Sequence, residues 1–167
     1  MSRPMHGFRI ASRLSAAPDE VWHGVTTLRG VNAELAPWLH MTGPPDEPLR
    51  AGPLGRSWVL LGRIVPVDYD DLHIVEVRPG HGFRERSALG SARRWHHDRT
   101  IEALPAGGCR IVDEVSWEPR VPGTSGIQEL LFAAVFRWRH RRLRDRFAAL
   151  DVENAPSATI RHDQDHV

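Results

Sequence analysis

The sequence predicts an α+β domain: a curved antiparallel sheet of six to seven strands, apolar on one face, covered by one long C-terminal helix. Three observations carry this. The first is a pair of strands, Trp95 to Ala103 and Cys109 to Trp117, joined by the turn Leu104-Pro105-Ala106-Gly107-Gly108. One face carries Trp95, His97, Arg99, Ile101 and Ala103, then Cys109, Ile111, Asp113, Val115 and Trp117; the other is polar apart from Val112. A period of two with one wet face marks an antiparallel sheet that covers a core on one side. The second is the long helical run Ile127 to Leu150. The third is the order of elements: a strand, two short helices, a run of strands, and then that helix, the only element long enough to cover the sheet.

The elements follow in order. Phe8 to Leu14 alternates apolar and polar residues and reads as the first strand. Ser15 to Glu20 opens a helix, with Pro18 suited to the first turn and Asp19 and Glu20 beside the positive end of the helix dipole; Val21, Trp22 and Val25 form its buried side. Gly30 interrupts, and Val31 to Ala36 forms a second short helix stopped by Pro37. Trp38 to Thr42 reads as a short strand. Gly43 to Gly55, rich in proline and glycine, reads as a loop. Arg56 to Val65, Asp70 to Arg78 and Gly82 to Leu89 are strand-like. Pro119 to Gly126 is a second breaker. Of the long helix, the first half is apolar almost all round (Ile127, Leu130, Leu131, Ala134, Val135 and Trp138 against Phe132 and Phe136). The second half keeps one stripe: Phe136, His140, Leu143, Phe147 and Leu150. Residues 1–150 form one domain with no internal repeat, and the polar segment Asp151 to Val167 is expected to be disordered.

Composition narrows the function classes. A length of 167 residues, 41% hydrophobic and 26% charged, suits one globular domain with a sizeable core. A net charge of +1 gives no global attraction to nucleic acid or membrane. All 22 basic residues are Arg. One cysteine, Cys109, excludes an internal disulfide and reads as packing. No run spans a bilayer and Met1 to Gly7 lacks a signal-peptide core, so the expected location is cytoplasmic.

Taken together, five stretches resemble the SRPBCC superfamily. They are Ala17-Pro18-Asp19-Glu20-Val21-Trp22, the segment Gly30 to Leu39, Trp95-x-His97-x-Arg99, Asp113-x-Val115-x-Trp117 and the segment Phe136 to Leu143. This is the helix-grip group of START-like lipid-transfer domains, polyketide cyclases and the birch-pollen allergen, and the resemblance runs from Phe8 to Phe147. It implies a deep hydrophobic cavity between sheet and long helix for a lipid, polyketide, quinone or similar molecule. It implies no single chemistry, because the fold hosts carriers, sensors and enzymes.

Charge on the inward face is costly unless it is paired or has work to do. If Ala88 to Arg94 closes a hairpin, Glu85 lands opposite His97, and the next hairpin sets Arg99 opposite Asp113. Cross-strand β-carbons are about 5 Å apart, so both pairs are in reach. They serve either as buried pairs that fix register or as the polar end of a greasy pocket, where His97 and Glu85 are the candidate acid–base residues. His96 and His97 point to opposite faces and cannot easily share an ion, so no metal is predicted, and no cofactor.

The predicted walls are Trp58, Leu60, Phe83, Trp95, Ile101, Val115, Trp117, Val135 and Trp138, and the polar anchor is Glu85, His97, Arg99 and Asp113. For the strand Arg56 to Val65, the face Trp58, Leu60, Ile64 is chosen over Val59, Leu61, Val65. The six arginines between Arg137 and Arg146 read as a solvated face, with binding of an anionic lipid or nucleic acid as the alternative. Three functions are carried forward: a carrier or sensor of a small apolar molecule, a cyclase/dehydratase-like enzyme using His97 and Glu85, and an anion binder on the Arg-rich helix. No nucleic-acid partner is expected, and the protein is a monomer or a homodimer through the doubly apolar half-helix.

Overall fold

The computed structural model describes residues 5–148. The segment Asp151 to Val167, expected to be disordered, and the last two residues of the expected long helix lie outside the described residues. The order is β1 (His6–Leu14), α1 (Pro18–Val25), α2 (Leu28–Leu35), β2 (Leu39–Met41), β3 (Gly52–Leu61), β4 (Val65–Arg78), β5 (Gly82–Leu89), β6 (Ala92–Ala103), β7 (Cys109–Pro119) and α3 (Ser125–Phe147). All seven strands form one antiparallel sheet in the order β1-β7-β6-β5-β4-β3-β2. It is the expected α+β architecture.

The outer face is a ladder of ion pairs, among them Arg9–Glu114, Arg84–Asp98, Arg86–Asp98 and Arg94–Glu118. The inner face carries two apolar clusters. One gathers Leu14, Trp22, Ile74, Ile101, Ile111, Leu143 and Phe147; the other gathers Trp95, Val115, Trp117 and Phe136. The helix α3 packs against β1, β7 and α2, so the inner face of β3, β4 and β5 is left without a helix across it. That asymmetry makes the cavity.

Among the boundaries that differ from expectation, three have a plain physical reason. Gly30 lies inside α2 rather than ending a helix. The Thr27 hydroxyl caps α2 by accepting the Gly30 N–H, and a β-carbon on Gly30 would sit 2.2 Å from the Gly24 carbonyl oxygen. Glycine here permits close approach of α1 and α2, not a break. Second, the run Arg56 to Val65 is not one strand. It is cut by a turn at Gly62 and Arg63, both at positive φ, which separates β3 from β4. The apolar residues Ile64 and Val65 beyond it hide the turn from a hydropathy reading. Third, β3 starts at Gly52, inside the expected loop.

The inward face of β3 is also the other one. Ser57 is buried and Val59 partly so, while Trp58 is 45% exposed and packs edge-on against Tyr69 on the outside; Ile64 is 82% exposed. A bulge between Val59 and Leu60 breaks the alternation there. Short β2 is held to α2 by Asn32, whose side chain donates to the Met41 carbonyl and accepts from the Met41 N–H at 2.9 and 2.7 Å.

Candidate functional site

Register places the ionisable residues. In the β5–β6 ladder Glu85 faces His97, and in the β6–β7 ladder Arg99 faces Asp113, both as the hairpin arithmetic predicts. Arg99 and Asp113 are each 0% exposed. Arg99 donates from Nε and Nη2 to the two oxygens of Asp113, both at 2.7 Å. The same guanidinium donates from Nη1 and Nη2 to Glu34 on α2 at 2.8 and 3.0 Å. Arg139 on α3 donates to Glu34 at 2.9 Å. Asp113 also bonds His97 Nε2 at 2.9 Å and His140 Nε2 at 3.0 Å, and His140 reaches Ser12 through Nδ1. His97 Nδ1 faces Glu85 Oε2 at 3.4 Å.

The network ties sheet, α2 and α3 together between the two apolar clusters, the His97 ring standing edge-on to Phe83 of one and Phe136 of the other. Two-point Arg–carboxylate geometry suits such burial, because it satisfies several donors and acceptors at once. Burial works against charge on Asp113 and Glu34, but Arg99 outweighs it, holding Asp113 well below the usual carboxylate range and Glu34 below its ordinary value. Burial likewise opposes charge on His97, yet Asp113 and Glu85 hold its pKa above the ordinary imidazole value. Cys109 is a buried thiol, pushed up by burial alone, as suits packing.

Glu34, Arg139, His140 and Asp70 were not among the expected site residues. Sequence carried a signal for the first two. Glu34 lies on the same side of α2 as Gly30, Val31 and Leu35, and Arg139 falls on the buried stripe of α3 between Phe136 and Leu143. A charged residue on an apolar helix side asks for a partner. The Arg run of α3 is therefore only in part the solvated face expected of it. Arg139 is buried, Arg142 and Arg146 donate to the Ala33 and Gly24 carbonyls, and Arg144 donates to Ser12.

Between β3–β6, α2, the loop from Thr42 to Leu49 and the first half of α3 lies a cavity of about 590 Å³. Of the expected site residues, Phe83, Glu85, Trp95, His97 and Val135 line it. Ser57 and Val59 line it where Trp58 and Leu60 were expected, because the inward face of β3 is the alternate one. Arg99 and Asp113 stand behind the wall. Ile101 belongs to one apolar cluster, and Val115 and Trp117 to the other. Trp138 turns away, donating to the Ala36 carbonyl at 2.9 Å and meeting Trp38 edge-on.

Asp70 on β4 also lines the cavity, its carboxyl beside Ser87 and Glu85. Burial first, and then the negative Glu85, raise its pKa well above the ordinary carboxylate value. Among the described residues no group of three or more His, Cys, Asp or Glu side chains is arranged to hold a metal ion, and no helix is long and apolar enough to cross a membrane.

A seven-stranded antiparallel sheet with two short helices after the first strand and a long C-terminal helix packed on it is the helix-grip fold. A family model described as "Domain of unknown function (DUF8410)" matches residues 12–147, and the chain belongs to that family. Three similar solved structures share the fold. The AHSA1 protein from Silicibacter pomeroyi has a TM-score of 0.65 at 17% identity, covering 86% of this chain and 98% of that one. Ara h 8.0201 has a TM-score of 0.56 at 12% identity, covering 85% and 99%. DynU16, a protein in the dynemicin biosynthetic locus, has a TM-score of 0.58 at 20% identity, covering 87% of this chain and 50% of its own. No curated protein matches the chain.

Proposed function

We propose that this protein binds a small, largely apolar molecule between its sheet and C-terminal helix, as a carrier or sensor. The observation that supports this most directly is the cavity of about 590 Å³, walled by Leu35, Leu72, Ile74, Phe83, Trp95 and Phe136 with a few buried polar groups at one side. Sites for small molecules have this size range and this mixture, apolar walls giving affinity and a few placed polar groups giving orientation. The helix-grip fold of Ara h 8.0201 and DynU16 agrees with it at the level of architecture.

Binding explains the buried network better than catalysis by His97 does. Both ring nitrogens of His97 are engaged, by Glu85 and Asp113, so neither is free to take a proton from a ligand. The network instead fixes the wall from which Glu85 looks into the cavity. Anion binding on α3 has less support, since Arg139, Arg142, Arg144 and Arg146 are committed to bonds within the domain.

The reading is tested by titrating the protein with Nile red and following its fluorescence. Saturable one-to-one binding is expected, abolished in Leu72→Trp, which fills the cavity, with the far-ultraviolet dichroism unchanged. Failure to saturate at one equivalent, or equal binding by the filled variant, removes the proposal.

A further inference from the structure

The cavity-lining side-chain atoms that meet no N–H or hydroxyl donor of the protein are all oxygens. Among the described residues, the buried side-chain nitrogen and oxygen atoms accepting or donating no hydrogen bond are Asp70 Oδ1, Glu85 Oε1, Gln128 Oε1 and Trp117 Nε1. The first three belong to residues that line the cavity, and Trp117 does not. Gln128 has its amide nitrogen committed to the Ser91 carbonyl at 2.9 Å, so its oxygen is the free end. Asp70 and Glu85 are only 6% and 5% exposed. Buried acceptors without donors are unfavourable by about 1–3 kcal/mol each, more for charged ones, and a ligand that supplies donors removes that penalty.

The balance of charge says which kind of donor. Glu34 and Asp113 are matched by Arg99 and Arg139, and Glu85 and Asp113 both face His97. Asp70 is a fourth carboxyl without a cation of its own. The other charged groups on the wall are bonded within the protein or exposed. Arg56 on β3 pairs with Asp71, Asp68 on β4 accepts from Ser91 and from the Tyr69 N–H, and Glu47 stands at the exposed rim. His140 lies behind the wall on Asp113 and Ser12.

We infer that the cavity takes an apolar molecule bearing a protonated amine, whose N–H groups donate to Asp70 Oδ1 and Glu85 Oε1. This rests on the cavity being a binding site and narrows it to one ligand class. In the free protein the carboxyl pair holds one proton, because two adjoining buried carboxylates cannot both ionise cheaply. An incoming ammonium supplies the positive charge in its place, so that proton passes to the buffer while the amine keeps its own. A neutral alcohol donates to one of the two oxygens and leaves the proton in place. A carboxylate adds a further negative charge and is excluded.

The test is calorimetric titration of the full chain at pH 7 with decylamine, decanol and decanoate, three probes with one apolar body. Decylamine is expected to bind at least about tenfold more tightly than decanol, and decanoate most weakly, as a charge-assisted pair requires. Repeating the titration in buffers of different ionisation enthalpy is expected to show about one proton released with decylamine and none with decanol. In Asp70→Asn, and separately in Glu85→Gln, the amine preference and the proton release are expected to vanish while decanol still binds. Equal affinity of the wild type for decylamine and decanol, or a preference that survives both variants, overturns the inference and leaves the apolar cavity standing. If none of the three probes binds, the cavity reading itself falls.

Discussion

Glu34 and Arg99, 65 residues apart in sequence, meet in a two-point hydrogen bond at 2.8 and 3.0 Å with both side chains 1% exposed. The bond joins the second helix to the centre of the sheet. Arg99 turns its other edge to Asp113 on the neighbouring strand, so one guanidinium sets the position of α2 relative to the β6–β7 hairpin. α2 lines the cavity through Leu28, Val31 and Leu35, so that distance sets one of its walls.

Removing the helix end of this contact leaves two buried arginines short of a counter-charge. Glu34→Gln is expected to destabilise the fold by about 3–5 kcal/mol, the range for breaking a buried pair from one side. The exposed pair Arg9–Glu114 provides the comparison, and Glu114→Ala is expected to change stability by less than about 1 kcal/mol. Urea unfolding of both variants checks this, and a loss in Glu34→Gln as small as that in Glu114→Ala contradicts the energetic role given to Glu34.

His97 owes its raised pKa to its carboxylate neighbours and keeps it against burial. Its sign follows from that: the folded state binds the proton more tightly than the unfolded chain, so this contribution to stability is complete below the ordinary imidazole pKa of about 6.5 and is lost as pH rises through the folded value. In Asp113→Asn the chief attraction is gone and burial remains, so the His97 pKa is expected to fall below 6.5. A proton NMR titration of the ring in both proteins measures it. A value that stays raised in the variant removes Asp113 as the cause.

Asp70 carries the opposite sign. Its folded pKa is raised by burial and by Glu85, so above the ordinary carboxylate value the folded state holds a proton that the unfolded chain has released. Stability therefore falls as pH rises from about 4 through the folded pKa. Asp70→Asn removes that fall. Thermal melts of wild type and variant are expected to coincide near pH 4 and to separate towards pH 8, the variant being the more stable. A variant that is less stable at pH 8 refutes the assignment.

The alternation in residues 95–117 was enough to read the sheet, its wet and dry faces, and the two cross-strand pairs Glu85–His97 and Arg99–Asp113, because pairing between adjoining strands is local once the turns are recognised. A period of two leaves only two choices of register face, and the residues of β6 and β7 chose one plainly. On β3 the same rule did not decide. Trp58 and Val59 are both apolar, so hydropathy could not say which looks inward, and the bulge beside Val59 is invisible to it.

What tertiary structure alone decided is the company these residues keep. Glu34, Arg99 and Arg139 come from three elements far apart in sequence, and no periodicity relates a helix at residue 34 to a strand at residue 99. The same holds for Asp70 and Glu85, which share the cavity only because β4 and β5 are paired and concave towards it. The sequence by itself determined the order of the elements and the dry face of β6 and β7. Folding determined which buried charges found partners, and which two carboxyl oxygens, Asp70 Oδ1 and Glu85 Oε1, face the apolar cavity.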